Sequence, residues 1–239
     1  MDAQEIIENG AAHFLPNLSI DIVIIGYEKG ELKTLLLRIG EKWALPGGYI
    51  GHEESVNNAA DRILSMRTGL EGPHLKFFSV FGDKDRKFDH EFQQFFEEKG
   101  IPWKEDYWIF GRFVTLAYYS LVEINTTNPE PGVFDDAIGW HSFSDLPDMW
   151  LDHCKILHAA RTSLQADIRS ELITYNLLPE HFTMPQLHEL HQTILCEKID
   201  RSRFQKNMLA SGMFERMPLL EKVTPGRKPF QYRLKENKE

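Results

Sequence analysis

The feature that most constrains this chain is Leu45-Pro46-Gly47-Gly48, a tight apolar-to-glycine step that leads into an amphipathic helix. The helix is expected from about Ser55 to Thr68, because Val56, Ala59, Ala60, Ile63 and Leu64 fall on one face. Ser55 can cap its start, and Gly69 followed by Leu70 supplies a left-handed stop with its usual apolar contact. Upstream, Ile20 to Tyr27 and Leu32 to Arg38 are β-rich runs separated by Glu28-Lys29-Gly30-Glu31, a hairpin signal. Downstream, Phe77 to Phe81, Phe113 to Ile124 and Ala137 to His141 read as strands, and Cys154 to about Ile173 as a helix. Strands interspersed with helices make this part α+β or α/β.

The stretch from Gly82 to Arg112 mixes charges with Phe88, Phe92, Phe95, Phe96, Trp103, Tyr107, Trp108 and Phe110. Asp89 to Lys99 fits an amphipathic helix presenting Phe92, Phe95 and Phe96. A connection this long is usually functional or carries structure of its own. Its aromatics could stack on a ligand ring, although packing is the simpler use. Asn176-Leu177-Leu178-Pro179 then breaks the preceding helix. The expected division is therefore 1–175, with an insertion at about 84–111, and 176–239.

The second part reads as a helix-turn-helix. Thr183 is placed to cap a helix from about Met184 to Cys196, with Pro185 in its first turn. Asp200 caps a second, Arg201 to Ser211, ending at Gly212. Phe204 and Met208 can face the first helix, which leaves Arg201, Arg203, Lys206 and Asn207 on the opposite side for base edges and phosphates. Phe214 to Leu220 and Phe230 to Leu234 look like two strands around a basic turn, a wing. Arg227 and Lys228 at its tip suit phosphate or minor-groove contact.

Charge supports that division. The 239 residues carry a net charge of −9, which taken alone argues against nucleic acid. From His181 to Glu239, however, 11 Lys and Arg face 7 Asp and Glu, about +4. The remainder is therefore about −13, so a basic module sits on an acidic body. No apolar run approaches the roughly 18 residues of a membrane span, and the acidic MDAQEIIENG start lacks the apolar core of a signal peptide. Cys154 and Cys196 show no metal or disulfide spacing and read as ordinary thiols. A cytoplasmic, membrane-free location is expected.

The glycine-to-helix segment resembles the Nudix box, G-x5-E-x7-R-E-U-x-E-E-x-G-U with U a bulky apolar residue. Gly48, Glu54, Arg62, Leu64, Gly69 and Leu70 stand at matching places, preceded by Trp43-Ala44-Leu45-Pro46-Gly47-Gly48. The resemblance implies a Nudix α/β/α sandwich with a mixed sheet over roughly residues 15 to 165. Three family glutamates are replaced by Ile63, Met66 and Arg67. In the family these carboxylates hold Mg²⁺ or Mn²⁺ against a diphosphate, which requires hard oxygen ligands. A guanidinium cannot ligate such ions, and Glu54 alone cannot rebuild the site. No catalytic residue, metal or cofactor is expected. Arg62 reads as an ion-pairing scaffold residue, and Arg67 inside the apolar arc needs a partner or a bound anion.

Taken whole, the chain resembles the Nudix-related transcriptional regulators, whose members include an ADP-ribose-responsive repressor of NAD metabolism and an arabinose-responsive regulator. The resemblance rests on Ile20-Asp21, Gly82 to Arg86, Arg112 to Leu121, Asp152-His153, Asn176 to Pro179 and Phe182 to Leu187, and leans to the sugar-responsive branch of carbohydrate metabolism. It implies a homodimer on a double-stranded operator, with a pentose or ADP-ribose-like effector in the Nudix pocket. Asp85, Arg86, Asp152, His153 and Arg67 are the ligand candidates, since carboxylate, guanidinium and imidazole all bond hydroxyls. Asp152 could instead cap the following helix, and Arg86 could be a surface charge. The rivals are a Nudix hydrolase taking metal ligands from Asp83, Asp85 or Glu91, and a module that binds only protein.

Overall fold

A computed structural model describes residues 1–87, 90–101, 104, 107–217 and 230–235, with the backbone alone at 90 and 91. Its centre is β1 (Phe14–Glu28), where Ile20 to Ile25 are an almost unbroken apolar run because both faces are covered. Ile20, Ile22 and Ile24 pack with Ala59, Ala60, Ile63 and Leu64 of helix α2 (Val56–Thr68). Val23 and Ile25 point the other way, into one core with Ile156, Leu157, Ala160 and Leu164 of α4 (His153–Asp167). The period-2 alternation of one strand thus sorts helices onto both faces of the sheet. Each fully buried Ile or Leu stabilises that sandwich by about 1.5–3 kcal/mol.

The sheet has seven strands: β1, β2 (Glu31–Ile39), β3 (Lys42–Ala44), β4 (Gly47–Gly51), β5 (His74–Phe81), β6 (Val114–Leu121) and β7 (Ala137–Ser142). Their order is β3-β2-β1-β6-β5, with β4 also on β1 and β7 also on β2. β1 and β6 run parallel while every other pair is antiparallel, so the sheet is mixed, as the resemblance implied. The helix α2 is capped by Ser55, whose side chain accepts from Asn58 N–H, and stopped by Gly69 at φ 71°.

The sequence-based expectations were wrong in four places. Helix α1 (Ala3–Asn9) was not foreseen; it buries Ile7 against the insertion, where Trp108 Nε1 donates to the Ile6 carbonyl at 2.8 Å. β3 and β4 were read only as a lead-in and a turn. The strand expected to reach Ile124 ends at Leu121, and residues 124–126 form a 3₁₀ turn. α4 ends at Asp167 rather than near Ile173: beyond it the backbone tightens, with Arg169 N–H donating to the Ala166 carbonyl and Ser170 N–H to the Asp167 carbonyl, while the Asp167 side chain meets Tyr119 Oη at 2.6 Å and Lys76 Nζ at 2.9 Å. A 3₁₀ turn over residues 174–177 follows.

Beyond it, β8 (Phe182–Thr183), α5 (Met184–Leu195), α6 (Arg201–Ala210), β9 (Phe214–Arg216) and β10 (Gln231–Leu234) form a helix-turn-helix with a small sheet ordered β8-β10-β9. Thr183 and Gln186 close a capping box at the start of α5, and Asp200 accepts from Arg203 N–H to cap α6. The β9–β10 pair is the base of the expected wing. Arg227 and Lys228, assigned to its tip, lie outside the described residues. Leu187, Leu190 and Ile194 of α5 share one core with α4 and β1.

Candidate functional site

A cavity of about 160 Å³ lies at the end of the sheet where the Gly47-Gly48 step, the start of α4 and the insertion converge. Asp21 interrupts the isoleucine run of β1 and points to the α4 side. The loop after β5 brings Arg86 to it: Nη2 lies 2.7 Å from Asp21 Oδ2, and Nε lies 2.9 Å from Asp152 Oδ1. The Arg86 and Asp21 side chains are 4% and 8% exposed, so this is a buried charge cluster. Its desolvation is offset only because each carboxylate meets the guanidinium through a charge-assisted hydrogen bond.

His153 completes the cluster in a fixed tautomer. Its Nδ1 accepts from Leu45 N–H at 3.0 Å, and its Nε2 faces Asp21 Oδ2 at 3.9 Å. Burial holds its pKa below the ordinary histidine value, with Arg86 acting in the same direction against Asp21 and Asp152. The ring is therefore neutral, with its proton on Nε2, turned toward the cavity cluster. Gly47 is required here for space, since a Cβ would sit 2.6 Å from the Ile20 carbonyl oxygen and 2.7 Å from Asp21 Oδ1.

Arg67 reaches the cavity from the last turn of α2 and finds the partner that the apolar arc demanded. Its Nη1 lies 2.5 Å from Asp135 Oδ2, which also accepts from Gly132 N–H at 2.6 Å. The two side chains are 12% and 1% exposed. Arg67 Nε is buried with no hydrogen-bond partner among the described residues. Arg62 plays the scaffold role expected of it, bonding both carboxylate oxygens of Glu54 and the Tyr49 carbonyl. Glu54 also accepts from Gly51 N–H, and the Arg62 bond holds its pKa below the ordinary carboxylate value.

The insertion forms one wall. Helix α3 (His90–Glu98) buries Phe92, Phe95 and Phe96 in a third apolar cluster with Ile7, Phe110 and Trp150. Phe92 and Phe96 also line the cavity, so the rings that pack the insertion form part of its wall. Of the sequence candidates, Arg86, His153 and Arg67 line the cavity, and Asp152 acts behind Arg86. Asp152 does stand at the N-cap of α4, but its side chain makes no capping bond. Arg86 is buried, not a surface charge. Asp85 is exposed and absent from the lining. Asp21 and Asp135 were missed as site residues. A lone acid inside an apolar strand was the available signal for Asp21; no local pattern marks Asp135.

Of the alternative metal ligands, Asp83 and Asp85 are both exposed. Asp83 pairs with Lys155 at 3.3 Å, and the Glu91 side chain lies outside the described residues. Among the described residues no group of three His, Cys, Asp or Glu is placed to hold a metal ion. At the other end of the molecule, α6 buries Phe204 against the rings of His188 and His191. Arg201, Arg203, Lys206 and Asn207 are all exposed on it, as expected.

A mixed-sheet sandwich with a glycine step and an amphipathic helix is thus joined to a winged helix. Residues 174–234 match the family model described as the NrtR DNA-binding winged helix domain. Over 225 residues the chain is 24% identical to the ADPR responsive transcriptional repressor NtrR of Acinetobacter baylyi, covering 90% of this chain and 80% of the relative. Among solved structures, Shewanella oneidensis NrtR complexed with a 27mer DNA superposes with a TM-score of 0.72 at 23% identity, covering 91% of this chain and 93% of the other. A MutT/nudix family protein from Enterococcus faecalis gives 0.66 at 20% identity, with coverages of 92% and 87%. No described helix is long and apolar enough to cross a membrane.

Proposed function

We propose that this chain is a ligand-responsive DNA-binding transcriptional regulator of the cytoplasm, with residues 1–175 as the sensor and 176–239 as the DNA-binding part. The observation that carries the reading is α6, the second helix of a helix-turn-helix, whose outward face is Arg201, Arg203, Lys206 and Asn207. Arginine and asparagine are the side chains that read guanine and adenine edges, and lysine meets phosphate. Arg227 and Lys228 would add wing contacts. Two copies in a homodimer would read a pseudo-palindromic operator.

The effector would be a sugar or nucleotide-sugar held by Arg86, Asp21, His153 and Arg67, with Asp152 behind Arg86. Buried carboxylates and guanidinium groups offer acceptors and donors at once, which suits vicinal hydroxyls. The Acinetobacter relative, named as ADPR responsive, makes ADP-ribose the first nucleotide-sugar to try, and a pentose is the smaller alternative. Hydrolysis is not part of the proposal. Glu54 is spent on Arg62, and Ile63, Met66 and Arg67 leave the box helix without the carboxylates that would hold a cation.

The reading is tested by titrating fluorescent duplex from the gene's own upstream region across salt concentrations. Tight binding that weakens steeply with salt, and further on Arg203→Ala, is expected. Affinity no greater than for random duplex would overturn it. Metal-dependent release of AMP from ADP-ribose would return the chain to the hydrolases.

A further inference from the structure

The geometry points to α4 as the lever that carries the state of the cavity to the recognition helix, an inference that rests on the regulator reading above. The first end of α4 is built into the charge cluster. Asp152, at its N-cap, spends its carboxylate on Arg86 instead of on the helix, and His153 takes the Leu45 N–H that follows the β3 strand. A ligand that competes for Arg86 or His153 therefore acts directly on the helix terminus.

The other half of α4, with the turn that follows it, grips the helix-turn-helix at one place. Gln165 Nε2 donates to the Ile194 carbonyl at 2.8 Å, Arg161 Nη2 lies 3.0 Å from Cys196 Sγ, and Arg169 Nη2 lies 2.8 Å from Glu197 Oε1. All three acceptors fall in 194–197, the last turn of α5 and the start of the turn into α6. Beneath them Leu164 and Ile168 share a core with Leu187, Leu190 and Ile194. His153 and Gln165 are separated by about 18 Å along the axis at about 1.5 Å per residue, a span a continuous helix crosses without bending.

The turn cannot absorb the movement, because it is fixed to α5. His188 Nε2 and the Ile199 carbonyl are 2.8 Å apart, and Ile199 N–H donates to Gln192 Oε1 at 3.1 Å. Phe204 of α6 packs on both His188 and His191. A shift of α4 is thereby delivered to Arg201, Arg203 and Lys206 as a re-aiming of α6. The hairpin contact from Thr193 Oγ1 to the Gly30 carbonyl, at 3.3 Å, is a parallel hydrogen-bonded route from the sheet to α5.

Spatial continuity alone does not establish coupling; a cycle of substitutions does. Asp152→Asn keeps the shape of the cavity end and removes its charge, and Arg161→Ala/Gln165→Ala opens the grip. The readout is amide hydrogen exchange over 194–207 in the full-length protein, which needs neither DNA nor effector. Asp152→Asn is expected to change exchange there by at least threefold in the otherwise intact chain, and by less than 1.5-fold once the grip is opened. An equal change in both backgrounds, or none in either, would overturn the lever. Asp152→Ser, smaller and uncharged, gives a second reading of the same cycle if the first variant folds poorly. Loss of specific DNA binding would defeat the regulator reading alone, and leaves this exchange result to stand or fall separately.

Discussion

Helices α2 and α6 both carry basic residues, and they use them in opposite ways. On α2, Arg62 and Arg67 are turned onto carboxylates of the fold, Glu54 and Asp135. On α6, the side chains of Arg201, Arg203 and Lys206 are exposed, with no ion-pair partner among the described residues. A helix whose arginines are answered internally is a scaffold or a cavity wall. One whose charges are left in water, above a buried aromatic anchor such as Phe204, presents a surface to something acidic. The two arginines of α2 are thus held inside the fold, while the basic residues of α6 are left in water.

The largest expected effect breaks the answered side of this contrast. Arg86→Ala leaves Asp21 and Asp152 as unpaired carboxylates, and loss of one partner from a buried ion pair costs about 3–5 kcal/mol. Chemical denaturation should show that loss with little change in slope. A cost below about 1 kcal/mol would mean that the cluster is wetter than its burial indicates.

Next comes pH. Burial, with a smaller push from His188, brings the His191 pKa down to about 4, while its Nε2 lies 2.8 Å from Thr174 Oγ1. The unfolded chain protonates near pH 6.5, so above that pH the stabilisation is fully present, and it is lost as pH falls toward about 4. Between pH 7 and 5 the loss is about 2 kcal/mol. His191→Gln should flatten this dependence in urea titrations at the two pH values; parallel slopes in both proteins would remove His191 as the cause.

On the solvent side, Arg203→Ala should leave the melting temperature within about 2 °C and weaken DNA binding by about 1–3 kcal/mol. Arg62→Ala should do the reverse, lowering stability by about 1 kcal/mol without touching DNA affinity. The contrast between the two helices fails if these outcomes are exchanged. The most local is Asp200→Ala, which removes the α6 cap and should cost about 1 kcal/mol, read as faster amide exchange in the first turn of α6.

What the sequence revealed follows the range of each interaction. The bounds of α2, α5 and α6 were legible because their caps, Ser55 with Gly69, Thr183 and Asp200, lie next to the apolar periodicity they terminate. That Arg67 needed a partner was legible from its place in the apolar arc. Which partner was not, since Asp135 is 68 positions away on a loop without periodicity. The overlong α4 has a related origin: its apolar pattern continues through Ile168, past the point where the backbone tightens into turns. Asp21 was visible as an acid among isoleucines, yet its meaning depends on Arg86 arriving from a loop 65 positions later.

The most direct test of the account is the affinity of the protein for its upstream duplex, measured with and without ADP-ribose, L-arabinose and D-ribose, in the native chain and in Asp21→Asn. The account predicts that one of these ligands shifts the DNA dissociation constant at least fivefold in the native chain and less than twofold in Asp21→Asn, each measured against the same protein without ligand. Specific DNA binding that no ligand shifts, or a shift that survives Asp21→Asn undiminished, would contradict the claim that this buried cluster senses the effector.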